Sequence, residues 1–265
     1  MKYVDCEKYA KEILDEAKKN KYDKYFAIVS VGDDPASQSY IKGKIKDCEY
    51  CGIPYIHKKI ELTDNLNHKN LLEYTLRALA NDENISAIIL QLPLPNGWDE
   101  KYFLNFIPTE KDVDGLKQNS IFYPCTPEGI VYLLKKELGD LTGETAVNIG
   151  RGILVGRPLF DMLLEENCTV TMAHSKTKDL DKLTQQPFDI IVSAVGNTKF
   201  LNLHLCNAKI VVDVGVNRDK NGKLCGDCYN FNDGIYAGML VTPVPKGIGL
   251  LTRAMLIDHI RQTNK

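Results

Sequence analysis

The chain has 265 residues, 44% hydrophobic and 26% charged, an ordinary globular balance with length for one large or two medium domains. Its 33 Lys and Arg against 35 Asp and Glu leave a formal charge of −2, which excludes the global basic field that draws proteins onto nucleic acid or an anionic membrane. The opening segment carries charges every few residues, with neither a signal-type apolar core nor a run long enough to span a bilayer. The expectation is therefore a cytoplasmic protein acting on small molecules, with no nucleic-acid or membrane partner.

The first element in chain order that periodicity marks is an apolar strand at 26–31, followed by a turn through Gly32, Asp33, Asp34 and Pro35 into a helix. Ile41, Ile45 and Cys48 mark the buried stripe of that helix, so Tyr40 and Lys44, four apart, share the neighbouring face. A ring beside an amine makes a substrate wall; a packed tyrosine beside a solvated lysine is the plainer alternative. A second strand, 85–90, ends in Gln91-Leu92-Pro93-Leu94-Pro95, which puts an amide at a strand's carboxyl end before a rigid turn. Lys111-Asp112-Val113-Asp114-Gly115 then presents carboxylates, either for a polar substrate edge or as turn formers.

Pro, Gly, Asp and Asn cluster through 108–127, and the domain boundary is expected there. Thr126-Pro127-Glu128 reads as a helix start, with the helix running to 138. Strand 146–149 then feeds Gly150-Arg151-Gly152-Ile153-Leu154-Val155-Gly156-Arg157-Pro158 and a helical pattern from 159. This is a widened dinucleotide fingerprint, in which glycines let backbone approach a pyrophosphate that the helix N-terminus attracts. The next strand, 169–173, ends at His174-Ser175-Lys176, where an NAD enzyme would carry Asp or Glu. Without that carboxylate, and with Arg151 and Ser175 as donors, a 2′-phosphate is accommodated and NADP is expected. Strands 190–195 and 210–214 bring Ala194-Val195-Gly196 and Asp213-Val214-Gly215 to the same edge, and a final helix covers 251–262. Alternating strands and helices predict parallel sheets covered by helices. The eight cysteines, including the pairs Cys48/Cys51 and Cys225/Cys228, are spread too widely for a zinc ribbon, so free thiols and no metal are expected.

Ordered motifs along nearly the whole chain resemble the bifunctional methylenetetrahydrofolate dehydrogenase/methenyltetrahydrofolate cyclohydrolase family. They are Val31 to Ser37, Tyr40 with Lys44, Gln91 to Pro95, Lys111 to Leu116, Pro124 to Gly129, Val155 to Pro158, His174-Ser175, Asp213 to Gly215, Gly226-Asp227 and Thr242 to Pro245. The resemblance implies a two-domain α/β homodimer. A folate-binding catalytic domain covers 1–123 together with the C-terminal helix 251–265, which packs back on it, and a Rossmann-type NADP domain covers 124–250. It implies tetrahydrofolate derivatives as substrates, Lys44 as the catalytic lysine, Gln91 as its hydrogen-bond partner, Tyr40 as the ring against the pterin side and Asp114 as the pterin anchor. Leu92, Pro93, Pro243 and Pro245 complete the substrate set. Gly150, Arg151, Gly152, Gly156, Pro158, His174, Ser175, Val195, Gly196, Gly215 and Thr252 form the cofactor set.

Four departures from the family pattern stand out: Gly152 for serine, Thr198 for proline, Lys246 for the first glycine of a pair, and Leu250-Leu251 for Pro-Met. The last two sites lie in a loop that the resemblance turns toward substrate and nicotinamide, so a slow dehydrogenase is expected. A folate- or nucleotide-binding paralogue without turnover is the alternative that this loop favours. A quinate- or shikimate-type oxidoreductase would share the glycine turn but gives no reason to join Tyr40 and Lys44 with Gln91 and Asp114.

Overall fold

The computed structural model describes residues 1–63, 67–231 and 238–264, and its backbone separates into two units. One comprises Lys11–Cys125 and Arg253–Lys265, the other Met1–Ala10 and Thr126–Thr252.

In the first unit the apolar runs Tyr25–Val31 and Ile85–Leu90 become adjacent parallel strands, with Tyr55–Ile60 on the other side of Tyr25–Val31. Sequence order reverses at the central strand, so its carboxyl end and that of Ile85–Leu90 flank a switch point, where ligands of such sheets bind. Leu72, Leu76 and Leu79 of helix His68–Asn81 recur at helical spacing and are buried with Ala27, Val29, Ile85 and Ile88 in one core. The helix Pro35–Cys51 starts where the Asp34 carboxylate accepts from Ser37 N at 2.7 Å, with proline in its first turn, and stops at Gly52 in the left-handed region.

The second unit is built on a six-stranded sheet, parallel throughout. Its spatial order is Lys2–Tyr3, Leu240–Val241, Ile210–Asp213, Ile190–Ser193, Thr145–Ile149, Thr169–Ala173. Order again reverses at Thr145–Ile149, which places a crevice between its carboxyl end and that of Ile190–Ser193. The helices Cys125–Leu138 and Gly156–Glu165 follow the expected alternation.

Two features differ from the sequence expectation. Met1–Ala10 lie with the second unit because Lys2 and Tyr3 extend its sheet beside Leu240 and Val241. Helix Gly156–Glu165 also begins three residues before the apolar pattern does, at the last glycine of the turn. The terminal helix spans Ile248–Thr263, and its part from Arg253 belongs to the first unit, through contacts such as His259 Nδ1 donating to Val113 O at 2.8 Å. Among the described residues no helix is long and apolar enough to cross a membrane.

Candidate active site

Helical spacing alone puts Tyr40, Gly43, Lys44 and Asp47 on one face of Pro35–Cys51. Lys44 is 5% exposed, which excludes the solvated-lysine alternative, and its Nζ donates to Gln91 Oε1 at 3.1 Å. Burying an ammonium is costly unless it is hydrogen-bonded, and this one has a single neutral acceptor among the described residues, so further donors remain for a ligand. Gln91 is itself held at both ends: its N–H donates to Val29 O at 2.8 Å, continuing the strand ladder, and its Nε2 donates to Leu92 O at 2.8 Å. That second bond fixes the amide so that its oxygen faces Lys44. Leu92-Pro93 is a cis peptide, with Leu92 half-buried and Pro93 exposed. Burial raises the Tyr40 phenol pKa, against the opposing charge of Arg253.

The two carboxylates of the 111–115 stretch divide the roles that the sequence left open. Asp112 is buried and forms the turn, with Oδ2 accepting from Lys117 N at 2.9 Å; burial pushes its carboxyl pKa up. Asp114 is half-buried and its carboxylate has no hydrogen-bond partner among the described residues, which leaves it open to a ligand. Between them and the helix start, Gly115 is at φ 68°, and a Cβ there would meet Tyr123 O at 2.2 Å, so only glycine fits.

In the second unit the glycine turn sits at the crevice. Gly150 is at φ 123° with room for no Cβ, which would fall 2.4 Å from Ala194 O, while a Cβ on Gly156 would fall 2.1 Å from Gly150 O. Asn148 Nδ2 donates to Gly156 O at 2.6 Å, tying strand to helix. Arg151 and Gly152 are exposed, Pro158 is in the first helical turn, and Gly152 has open space around it, so serine or glycine suits that position equally. His174 is half-buried with its N–H donating to Thr177 Oγ1, and Ser175 is exposed beside it.

Val195 and Gly196 belong to a loop organised by Asp227, whose role the sequence reading missed. This fully buried carboxylate accepts from Ser193 Oγ (3.0 Å), Val195 N (2.8 Å), Gly196 N (3.2 Å), Asn197 N (2.9 Å) and Asn217 Nδ2 (2.9 Å). Asp213 mirrors it, accepting from Gly215 N, Asp227 N and Cys228 N, although burial still raises its carboxyl pKa. A Cβ on Gly215 would strike Asp227, and one on Gly226 would strike Asp213, so these glycines serve the carboxylates. The signal was present as Asp213-Val-Gly215 and Gly226-Asp227, but only the fold brings the donors together.

Thr252 Oγ1 lies 3.0 Å from Thr126 Oγ1 and donates to Ile248 O, tying its helix to Cys125–Leu138. Pro243 and the cis-bonded Pro245 precede Lys246, which is at φ 74° and pairs with Glu7 at 3.1 Å. Leu251, at one of the departures, is fully buried against Gly129. Cys48 and Cys51 are free thiols buried within their helix, and burial pushes the Cys51 thiol up to about 11.

The tetrahydrofolate dehydrogenase/cyclohydrolase catalytic-domain model matches residues 4–114 and the corresponding NAD(P)-binding-domain model matches 124–265. Bifunctional protein FolD of Bacillus cereus strain B4264 is 41% identical over 249 residues, covering 90% of this chain and 85% of that protein. The crystal structure of the bifunctional enzyme FolD, a methylenetetrahydrofolate dehydrogenase/cyclohydrolase from Campylobacter jejuni, superposes with a TM-score of 0.90. It has 35% identity and covers 100% of this chain and 98% of its own. The Trypanosoma brucei N5,N10-methylenetetrahydrofolate dehydrogenase-cyclohydrolase, complexed with NADP cofactor and inhibitor, gives 0.88 at 27% identity, covering 98% and 96%. With both domain models matched and such kinship over 90% of its length, the chain belongs to the tetrahydrofolate dehydrogenase/cyclohydrolase family.

Proposed function

We propose that the protein oxidises 5,10-methylenetetrahydrofolate with NADP and hydrolyses the resulting 5,10-methenyltetrahydrofolate to 10-formyltetrahydrofolate. The observation that carries this reading is the buried Lys44 amine on Gln91, one helical turn from Tyr40. In this reading Lys11–Cys125 with Arg253–Lys265 is the folate part, and Met1–Ala10 with Thr126–Thr252 is the cofactor part.

NADP, when bound, supplies the hydride acceptor for the first step. The residues present suit it: Gly150 and Gly156 leave backbone where a side chain would stand, at the N-terminus of Gly156–Glu165. Arg151 and Ser175 are exposed donors for a 2′-phosphate, and no carboxylate occupies positions 174–176 to repel it. Gly152, Pro158, His174, Val195, Gly196, Gly215 and Thr252 line or support that binding.

The folate part aligns the substrate in the first step and moves protons in the second. Tyr40 offers its ring to the substrate, and Asp114 accepts from the pterin N–H groups. Leu92 and Pro93 shape its walls. Water adds to the cationic methenyl carbon, and the carbon–nitrogen bond to N5 breaks. Lys44 Nζ carries the proton between the adding water and the departing nitrogen while Gln91 keeps the amine in place. A homodimer in the cytoplasm belongs to the same reading.

Incubation with methylenetetrahydrofolate and either NADP or NAD, following reduced cofactor and the methenyl chromophore together, tests the whole. Reduced NADP should form, with methenyl absorbance rising and then decaying. Absence of both signals would leave only a folate- or nucleotide-binding paralogue.

A further inference from the structure

Arg253 stands in the second turn of Ile248–Thr263 and has no part in the roles above. Its guanidinium lies along the face of Pro35–Cys51 that carries Tyr40, Gly43, Lys44 and Asp47. Nε is 2.9 Å from Asp47 Oδ2, and Nη1 is so close to Gly43 that a Cβ built there would lie 2.0 Å from it. Its charge also reaches Tyr40, where it opposes the effect of burial on the phenol. Gly43 is thus a cradle: glycine inside a helix is destabilising relative to alanine, and here the missing side chain makes room for a cation.

A pair that serves only to join two helices is best built as a fork, with two parallel N–H···O bonds to one carboxylate. This pair is different. Asp47 is 6% exposed, yet Arg253 approaches it through Nε alone, 2.9 Å from Oδ2, rather than through a fork of two nitrogens. The terminal nitrogens have no hydrogen-bond partner among the described residues, and the side chain is 23% exposed. A guanidinium anchored by its stem, with its fork open, on the face that carries Tyr40 and Lys44, is arranged to take an anion.

We propose that Arg253 is a substrate-specificity residue that binds a carboxylate of the folate's glutamyl tail. The proposal rests on the function proposed above. The methenyl bridge is cationic and the pterin edge suits the Asp114 acceptor, so neither complements a guanidinium. The glutamyl carboxylates are the anionic part of such a substrate and match the fork in charge and geometry. Binding energy from this remote group is the same before and during reaction, so it acts on KM rather than kcat.

The test compares hydrolysis of 5,10-methenyltetrahydrofolate with that of 5,10-methenyltetrahydropteroate, which lacks the glutamyl residue. In the wild-type enzyme the loss of the tail should raise KM roughly tenfold, the range of one hydrogen-bonded charge contact, with kcat within about twofold. Arg253→Gln should raise KM for the folate by a similar factor and leave KM for the pteroate at the wild-type value; Arg253→Lys should fall between. Equal wild-type KM for the two compounds would overturn the proposal without any variant, as would Arg253→Gln raising both KM values alike, the mark of a purely structural pair. Wild-type enzyme that hydrolysed neither compound would overturn the functional reading itself, and the proposal with it.

Discussion

Lys246 occupies a left-handed backbone position, φ 74°, which a β-carbon makes about 1 kcal/mol less favourable than glycine does. Its ammonium is paired with Glu7, but both side chains are mostly exposed, at 67% and 59%, so that pair contributes little. The backbone rather than the charge is therefore the constraint at this departure. Lys246→Gly should raise the melting temperature by roughly 2 °C and speed the dehydrogenase, whereas Lys246→Met keeps the torsion and gains nothing. Equal gains from both in a thermal melt and a cofactor-reduction assay would show that charge matters instead. Lys44 gives the complementary residue-scale prediction. Removing a positioned proton carrier costs on the order of 100- to 10,000-fold, so Lys44→Met should lose hydrolysis of methenyltetrahydrofolate by that factor and still bind folate in a titration. Unchanged hydrolysis would end the proposed role.

Strand ends, rather than strands, carry the cofactor chemistry, and two substitutions separate contact from support. Arg151→Ala removes an exposed donor; a hydrogen bond to a charged group is worth about 1.5–3 kcal/mol, so kcat/KM with NADP should fall roughly 10- to 100-fold and with NAD less than about twofold. Asp227→Asn replaces an acceptor oxygen by a donor facing the N–H groups of 195–197, and should weaken NADP binding roughly tenfold or more. Hydrolysis of the methenyl compound, which needs no cofactor, should hold in Asp227→Asn; its parallel loss would mean misfolding rather than a disturbed loop. Much at this scale was legible in the sequence. Apolar runs such as Ile85–Leu90 and Ile190–Ser193 are buried parallel strands and announce themselves. Tyr55–Ile60 does not, because it pairs on one side only and carries His57, Lys58 and Lys59 in place of an apolar run. Tyr40 and Lys44 were readable from spacing within one helix and Gln91 from its strand end. Asp227 and the Arg253–Asp47 pair were not, since each depends on segments distant in sequence that only the folded sheets and helices bring together.

At the scale of the whole molecule, the chain passes from one unit to the other at residues 10/11, 125/126 and 252/253, so neither unit is a continuous stretch. The folate unit is completed by Arg253–Lys265, which supplies the buried Met255, Leu256, Ile257 and Ile260. His259 of the same segment donates to Val113 O and stacks on Phe122, with ring centroids 4.4 Å apart. At about 1.5–3 kcal/mol for each large apolar side chain, those four contribute roughly 6–12 kcal/mol, an upper estimate. A domain's net stability is only about 5–15 kcal/mol, so the unit should not survive their loss. The cofactor unit keeps its six strands and its glycine turn without that segment. A chain ending at Thr252 should therefore lose folate binding and methenyl hydrolysis, yet still melt at a higher temperature with NADP present. At a hundredfold excess over Kd the cofactor adds about 2.7 kcal/mol to whatever it binds. Retained hydrolysis in the shortened chain would show that the terminal helix is dispensable to the folate unit. Loss of the NADP-dependent shift would show that the cofactor unit depends on a segment with which its own sheet shares no strand.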